Sequence, residues 1–510
     1  MKARPKTSPV RWLAEHPVQT ALRVLFLILQ LGLNSLFFVS LLWGPFNVPY
    51  DGAFLLGTAL GAGITALWGK QQLAVIQGKR TAAKKFLWMG LSIPALVIIL
   101  GGAAFVHLSA LGTFSPQGEP YAEAFDDLWM LMDRHYPFFE QKDVDWEAAY
   151  QEYRPQAAAA QADQEFYQAV DQLLNVLPDG HTDLVRPHVT FAGLHTFGFA
   201  GEFQGDALVI GVGAAAEDAG LEVGDRLLEI NGKTIPEALE DWKEVIPPSS
   251  TPEHFQKRLY LHLLSTFDEE IKIQFQKPEG RVETAVLRWD PQNRRVQNPS
   301  PVITSQQLPS GVGVIRIRSF NLNHGPALIR AFDAALNNFL DAPGIILDVR
   351  NNGGGFSVLA DLTAGRFFSE TIVYGEEFYR SRLPQHFWRK SRTYRVVPRG
   401  DIYTGPVAVL TNPFTFSSAD TFVAAMTRAS RAVTVGRPTA GATGNPIKVR
   451  LPGGGTARFS TGDFQLPGVI SLEGSGIEPD IPVIWTREDL IQGNDPDIAA
   501  AEAYLLSKGD

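Results

Sequence analysis

The sequence predicts an α/β core joined to a small helical cap, a β-rich domain and apolar N-terminal helices. Strand and helix patterns alternate from residue 312 onward, which argues for helices packed on a sheet. Residues 191–289 are β-rich instead, and three apolar runs fill much of the first 111 residues. At 510 residues the chain is long enough for two or more domains with a full core.

The N-terminal runs cover residues 18–43, 53–68 and 86–111, the second beginning near Val48, and each is apolar enough to span a bilayer. A cleaved signal peptide would have one such run, so three predict a retained anchor over residues 18–111. Lys2, Arg4, Lys6 and Arg11 lie in the leading segment 1–17, and Lys70, Lys79, Arg80, Lys84 and Lys85 lie between the second and third runs. The turn between the first and second, residues 46–52, carries only Asp51. By the positive-inside rule the N-terminus and second loop are cytoplasmic, and everything after the third span is periplasmic or extracellular. The expected location is a bacterial plasma membrane, crossed several times, with membrane lipid as a partner of the N-terminal helices.

A formal net charge of −9 argues against a nucleic-acid partner. There are no cysteines, so disulfides, thiolate nucleophiles and cysteine-ligated metals are excluded.

After a Gly/Pro/Ser linker at residues 112–119, residues 119–190 read as a helical cap with aromatic anchors Phe125, Trp129, Tyr136, Trp146, Tyr150 and Phe166. The cap ends in LPDGHTDL, where His181 sits in a glycine-containing turn. The β-rich domain follows over residues 191–289, with Asn231-Gly232 making a tight turn after a strand. In the core, residues 300–490, strands are expected at 312–320, 344–349 and 406–410 and an amphipathic helix at 326–340. The glycines at 453–455 read as a hairpin turn, since no lysine-serine pair or helix follows them. Residues 491–510 carry a closing helix.

Two stretches carry chemistry. Residues 348–355, DVRNNGGG, place glycines where a buried strand should end, so that unhindered amides of Gly354 and Gly355 can approach a reacting carbonyl. Residues 412–426, NPFTFSSADTFVAAM, put Ser417 just ahead of a helical pattern, where free N–H groups and the helix dipole favour developing negative charge. The histidines outside position 181 show no metal-ligand spacing. No cofactor is expected.

With PTAG at 438–441 and LEGSGIEPDIPV at 472–483, these stretches resemble the C-terminal-processing or tail-specific serine peptidases and their tricorn-core relatives. The resemblance covers roughly residues 119–483. It implies a catalytic core of ClpP/crotonase-like strand–helix repeats acting on polypeptides. The segment AAAEDAGLEVGDRLLEINGKTI, residues 214–235, resembles a PDZ domain of the bacterial protease type. Such domains bind extended peptides by strand addition and often a terminal carboxylate in a nest of amides. The candidate nest is Phe197, Gly198, Phe199 and Ala200.

A serine hydroxyl needs a base. In the tail-specific branch the base is a lysine about 25 residues after the serine, but that position is Ala442 here, and the supporting aspartate falls on Arg428. Lys448 is out of register. The tricorn branch uses a histidine from the cap, which corresponds to His181, and a glutamate that carries over to Glu473, with Glu478 close by. The serine which that branch places before its histidine is Gly180 here, so its hydrogen bond is lost or replaced, for instance through Thr182. The resemblance thus implies Ser417 as nucleophile rather than Ser418, His181 as base, Glu473 as third member, and Gly354, Gly355 and the Ser418 amide as oxyanion donors. A non-catalytic peptide-binding scaffold of the same fold, and an acyl hydrolase or esterase using the same triad, are the rival readings.

Overall fold

The computed structural model describes residues 120–508 except 187–194, 198, 201–206, 210, 244–245, 264, 267–268, 289–300, 381–389 and 469–470. The expected membrane anchor, residues 18–111, lies outside the described residues, as does Gly198. Among the described residues no helix is long and apolar enough to cross a membrane.

The cap consists of α1 (Pro120–His135), α2 (Trp146–Ala159) and α3 (Asp163–Asn175), and the chain leaves it through β1 (Asp183–Val185). Apolar positions at helical spacing put Phe125, Leu128 and Met132 of α1 against Phe166, Val170 and Leu173 of α3 in one core. Asp145 starts α2 by accepting the Ala148 N–H at 2.9 Å.

The β-rich domain contains β2 (Arg226–Ile230), α4 (Ile235–Lys243), α5 (Pro252–Leu263), β3 (Glu270–Gln276) and β4 (Val282–Arg288), with β3 antiparallel to both other strands. Asn231 and Gly232 take the positive φ of 51° and 79° that a tight hairpin turn requires. Along β3, Ile271, Ile273 and Phe275 point inward at every second position. Phe197 joins that core, whereas Phe199 and Ala200 form a short ladder with Val212 and Gly211.

In the third region β5 (Ile303–Gln307), β6 (Gly313–Ile317), α6 (Gly325–Asn337), β7 (Ile345–Asp348), α7 (Ser357–Ala364), β8 (Ile372–Tyr379), β9 (Lys390–Val396) and β10 (Val407–Thr411) follow one another. Then come α8 (Ser418–Thr427), β11 (Val433–Gly436), β12 (Ile447–Arg450), β13 (Thr456–Phe459), β14 (Gly462–Gln465), β15 (Ile481–Pro482), α9 (Arg487–Gln492) and α10 (Pro496–Leu506). The main sheet runs β5-β6-β7-β10-β11-β15 and is parallel except for β5.

The central strands β7 and β10 are buried at every position, as parallel strands covered on both faces must be. Ile345 and Leu347 pack with Phe332, Leu359 and Phe422 of α6, α7 and α8. Ile346, which points the other way, packs with Ala501 and Leu505 of α10. The closing helix is close enough that a Cβ on Gly344 would lie 2.8 Å from the Leu505 Cβ.

Two smaller three-stranded sheets, β1-β13-β12 and β9-β8-β14, accompany the main one. The first ties the cap to the core, with Asp183 opposite Arg458 and the Arg458 Nε donating to Asp183 Oδ1 at 3.1 Å. The turn over residues 452–455 seats on the cap, where the Tyr167 hydroxyl donates to Pro452 O at 2.6 Å and accepts the Gly455 N–H at 2.8 Å. These attachments deliver the end of the cap to the carboxyl ends of β7 and β10, where ligand sites form in α/β sheets.

Candidate active site

The loops after β7 and β10 are stapled together. The Asn351 N–H donates to Asn412 Oδ1 at 3.0 Å, the Asn412 amide returns a bond to Asn351 Oδ1 at 2.8 Å, and the Phe416 N–H donates to Asn352 O at 3.0 Å. Held this way, Ser417 stands before the first residue of α8 at φ 60° and ψ −121°. A serine in that region is strained by about 1–3 kcal/mol, and such strain gathers where a side chain must be presented.

Ser417 is half-buried, and its Oγ lies 3.1 Å from His181 Nε2 across 236 positions of sequence. Ser418 is buried and its Oγ has no hydrogen-bond partner. The His181 turn is held by Asp179, whose Oδ1 accepts the His181 N–H at 2.8 Å and whose Oδ2 accepts the Thr182 hydroxyl at 3.1 Å. Thr182 therefore serves Asp179. Gly180 has a steric reason, because a Cβ there would lie 2.8 Å from the Phe416 ring and 3.0 Å from Ser249 Oγ.

Burial lowers the His181 pKa to about 4, helped by Arg458 and Lys142 and opposed by Asp179. The imidazole is therefore neutral at physiological pH, as a general base must be.

Glu473 is fully buried, whereas Glu478 is exposed. The structure does not bring Glu473 into a hydrogen bond with His181, whose Nδ1 has no partner. Its Oε1 instead accepts Lys142 Nζ at 3.0 Å and the Ser250 hydroxyl at 2.5 Å, and its Oε2 accepts the Thr443 N–H at 2.9 Å. Burial and the charge of Asp179 raise the Glu473 pKa to about 7 against these donors. Asp179 is held below the usual carboxylate range: burial opposes this, but Lys142 and His181 outweigh it.

The glycines abut the loop that carries Ser417. A Cβ on Gly354, at φ 81°, would lie 2.5 Å from Phe416 O and 2.7 Å from Ser417 Cβ. Its own N–H is committed to Asn352 Oδ1 at 2.9 Å, so Gly354 supplies close approach rather than a free donor. Gly355, at φ 143°, lies against the Phe320 backbone. Ser418 opens α8, where its N–H has no intrahelical acceptor.

Ala442 is buried, Arg428 and Lys448 are exposed, and Asp420 accepts the Gly441 N–H at 3.1 Å to hold the loop that carries Ala442. The lysine near the site is Lys142, from the turn between α1 and α2. Lys142, Asp179 and Ser250 escaped the sequence reading. Of these only Asp179 carried a signal, a carboxylate two residues before the histidine. Among the described residues no group of His, Asp or Glu side chains could hold a metal.

A serine hydroxyl within reach of a buried neutral imidazole, beside backbone amides at the end of a parallel sheet, defines the class of serine hydrolases. The comparisons narrow the class. Residues 311–483 match Peptidase family S41, residues 118–175 match the Tricorn protease C1 domain, and residues 208–255 match a PDZ domain. The chain is 24% identical over 394 residues to the chloroplastic C-terminal processing peptidase of Tetradesmus obliquus, covering 70% of this chain and 76% of that one. It is 25% identical over 334 residues to a carboxyl-terminal-processing protease of Picosynechococcus sp., covering 62% and 72%. The solved structure of mature CPAF complexed with lactacystin has the same fold, with a TM-score of 0.60, 14% identity and coverage of 76% and 97%. The chain is thus a serine-type peptidase, with residues 311–483 similar to Peptidase family S41 and the chain as a whole similar to carboxyl-terminal-processing peptidases.

Proposed function

We propose that this chain is a membrane-anchored endopeptidase that cleaves polypeptides outside the cytoplasm with Ser417 as nucleophile and His181 as general base, in the manner of the tricorn branch. The observation that carries the reading is the 3.1 Å approach of His181 Nε2 to Ser417 Oγ, made by a serine whose backbone is strained toward it. His181 Nε2 takes the hydroxyl proton as Oγ bonds to the substrate carbonyl carbon, then returns it to the departing amine, leaving an acyl-enzyme for water to hydrolyse. The N–H groups of Ser418 and Gly355 are the proposed oxyanion donors.

Glu473 acts at one remove in this reading. Asp179 supplies the negative field that stabilises the imidazolium formed in the transition state, and Glu473 pairs with Lys142, which keeps the two buried carboxylates tolerable beside each other. The anchor is proposed from the apolar runs and the positions of their flanking lysines and arginines. The PDZ domain is proposed to take an extended peptide segment, with the stretch from Phe197 to Ala200 as its carboxylate-binding end.

Labelling the full-length chain with a fluorophosphonate and mapping the modified residue tests the catalytic assignment. Modification of Ser417, abolished by His181→Ala, is expected. Modification of Ser418, or turnover by a Ser417→Ala variant, would refute it, and cleavage of esters but not peptides would make the chain an acyl hydrolase.

A further inference from the structure

The segment between α4 and α5, residues 246–251, and the first turn of α5 leave the PDZ domain and enter the active site. Ser250 Oγ accepts the Gly180 N–H at 3.0 Å and donates to Glu473 Oε1 at 2.5 Å. Thr251 Oγ1 donates to Ala440 O at 3.2 Å, in the loop that Asp420 holds. Ser249 Oγ bonds to His254 Nδ1, and the His254 ring lies 5.0 Å from the Phe416 ring. On its other contact Phe416 lies 4.6 Å from the His181 ring, and it is the residue that immediately precedes Ser417.

We propose that Ser250 is a positioning residue for peptide hydrolysis, and that through it the segment leaving the PDZ domain completes the active site. The inference rests on Ser417 and His181 being the reacting pair. The physical case begins with the turn over residues 179–182. Asp179 accepts the His181 N–H and the Thr182 hydroxyl, and Thr182 N–H returns to Asp179 O at 3.1 Å. The Gly180 N–H is the donor this turn leaves over, and Ser250 supplies its acceptor. The same hydroxyl proton reaches Glu473, so one side chain fixes both the peptide plane ahead of the base and the carboxylate behind it.

A serine side chain at position 180 is barred by the Phe416 ring and Ser249. The hydroxyl that bridges the turn and Glu473 therefore comes from a segment 70 positions away. Its placement depends on α5, because the Thr251 hydroxyl receives the His254 N–H at 3.3 Å. Geometry at the reacting pair thus follows the seating of a segment that belongs to the peptide-binding domain.

The test uses the full-length chain, with fluorescein-labelled casein for turnover and a fluorophosphonate for the rate of Ser417 modification. Ser250→Ala is expected to lower kcat and the labelling rate by about ten- to a hundred-fold, as loss of alignment does, with KM changed less than about three-fold. Ser250→Thr, which keeps the hydroxyl, should recover most of the rate. Ser250→Cys, a weaker donor of similar size, should fall between and decides the matter if the alanine variant melts early. A Ser250→Ala enzyme that labels and turns over at the wild-type rate, or a cysteine variant equal to wild type, overturns the proposal while leaving the Ser417 assignment standing. A Ser417→Ala enzyme that still turns over casein overturns the assignment itself.

Discussion

Lys142 Nζ stands 3.0 Å from Glu473 Oε1, with side chains only 6% and 0% exposed. The cation comes from the cap and the carboxylate from a loop 331 positions later. The ammonium also donates to the carbonyl of Pro178, next to Asp179. One buried cation therefore acts on two buried carboxylates, Asp179 from its own cap and Glu473 from the core.

Lys142→Met should destabilise the protein by about 3–5 kcal/mol at neutral pH, because removing one partner leaves an uncompensated buried charge. The pH dependence identifies which one. The folded Glu473 value, about 7, lies above its ordinary 4.5, so its contribution to stability is full below 4.5 and is lost as pH rises through 7. Without Lys142 the proton is held more tightly still. The deficit measured by urea unfolding should therefore be larger at pH 8 than at pH 5, and an equal deficit at both would assign the effect to another group.

The acid limb of kcat/KM should fall near pH 4, well below the ordinary histidine value of 6.5, because burial disfavours the His181 cation. Stability changes over a related window. His181 and His254, the latter lowered by burial to about 3, have folded values below their unfolded ones. Their contribution is full above 6.5 and declines as pH falls toward those folded values. Fluorophosphonate labelling in brief acid pulses separates the two effects. A limb at 6.5 or higher would mean that Nδ1 gains a carboxylate partner in the working enzyme.

Gly180→Ser should lower labelling of Ser417 by ten-fold or more. The added Cβ would meet the Phe416 ring at 2.8 Å, and Phe416 immediately precedes Ser417. Overpacking of this kind typically destabilises by about 1–3 kcal/mol, so the melting temperature should drop as well. A variant with wild-type labelling would show that the ring has room to yield.

Much of the candidate site was legible because its residues sit in stretches that carry the family resemblance. Ser417 precedes an apolar helical pattern, the glycines end a buried strand, and His181 occupies a short turn closing the cap. What surrounds them was not legible. Lys142 lies in the charged run EQKDVD and Ser250 in PPSST, neither of which carries a motif, and only the fold reveals that Glu473 is their common partner. The sequence reading also paired Glu473 with His181 directly, whereas the donors that reach Glu473 are Lys142, Ser250 and the Thr443 amide. Gly354 shows the same limit: its residue type announces close approach, but not that Asn352 occupies its N–H.

Reporter fusions settle the orientation that the flanking charges predict. Nine lysines and arginines lie before the first apolar run or between the second and third, counting Lys2, Arg4, Lys6, Arg11, Lys70, Lys79, Arg80, Lys84 and Lys85. The turn over residues 46–52 has none, and translocating a basic residue is disfavoured while an acidic one contributes little. A phosphatase that is active only outside the cytoplasm should therefore be active when fused after Gly112 and inactive when fused after Gly78. The reverse pattern would put the Ser417 site in the cytoplasm, and activity at both junctions would mean that the second and third runs do not cross as separate spans.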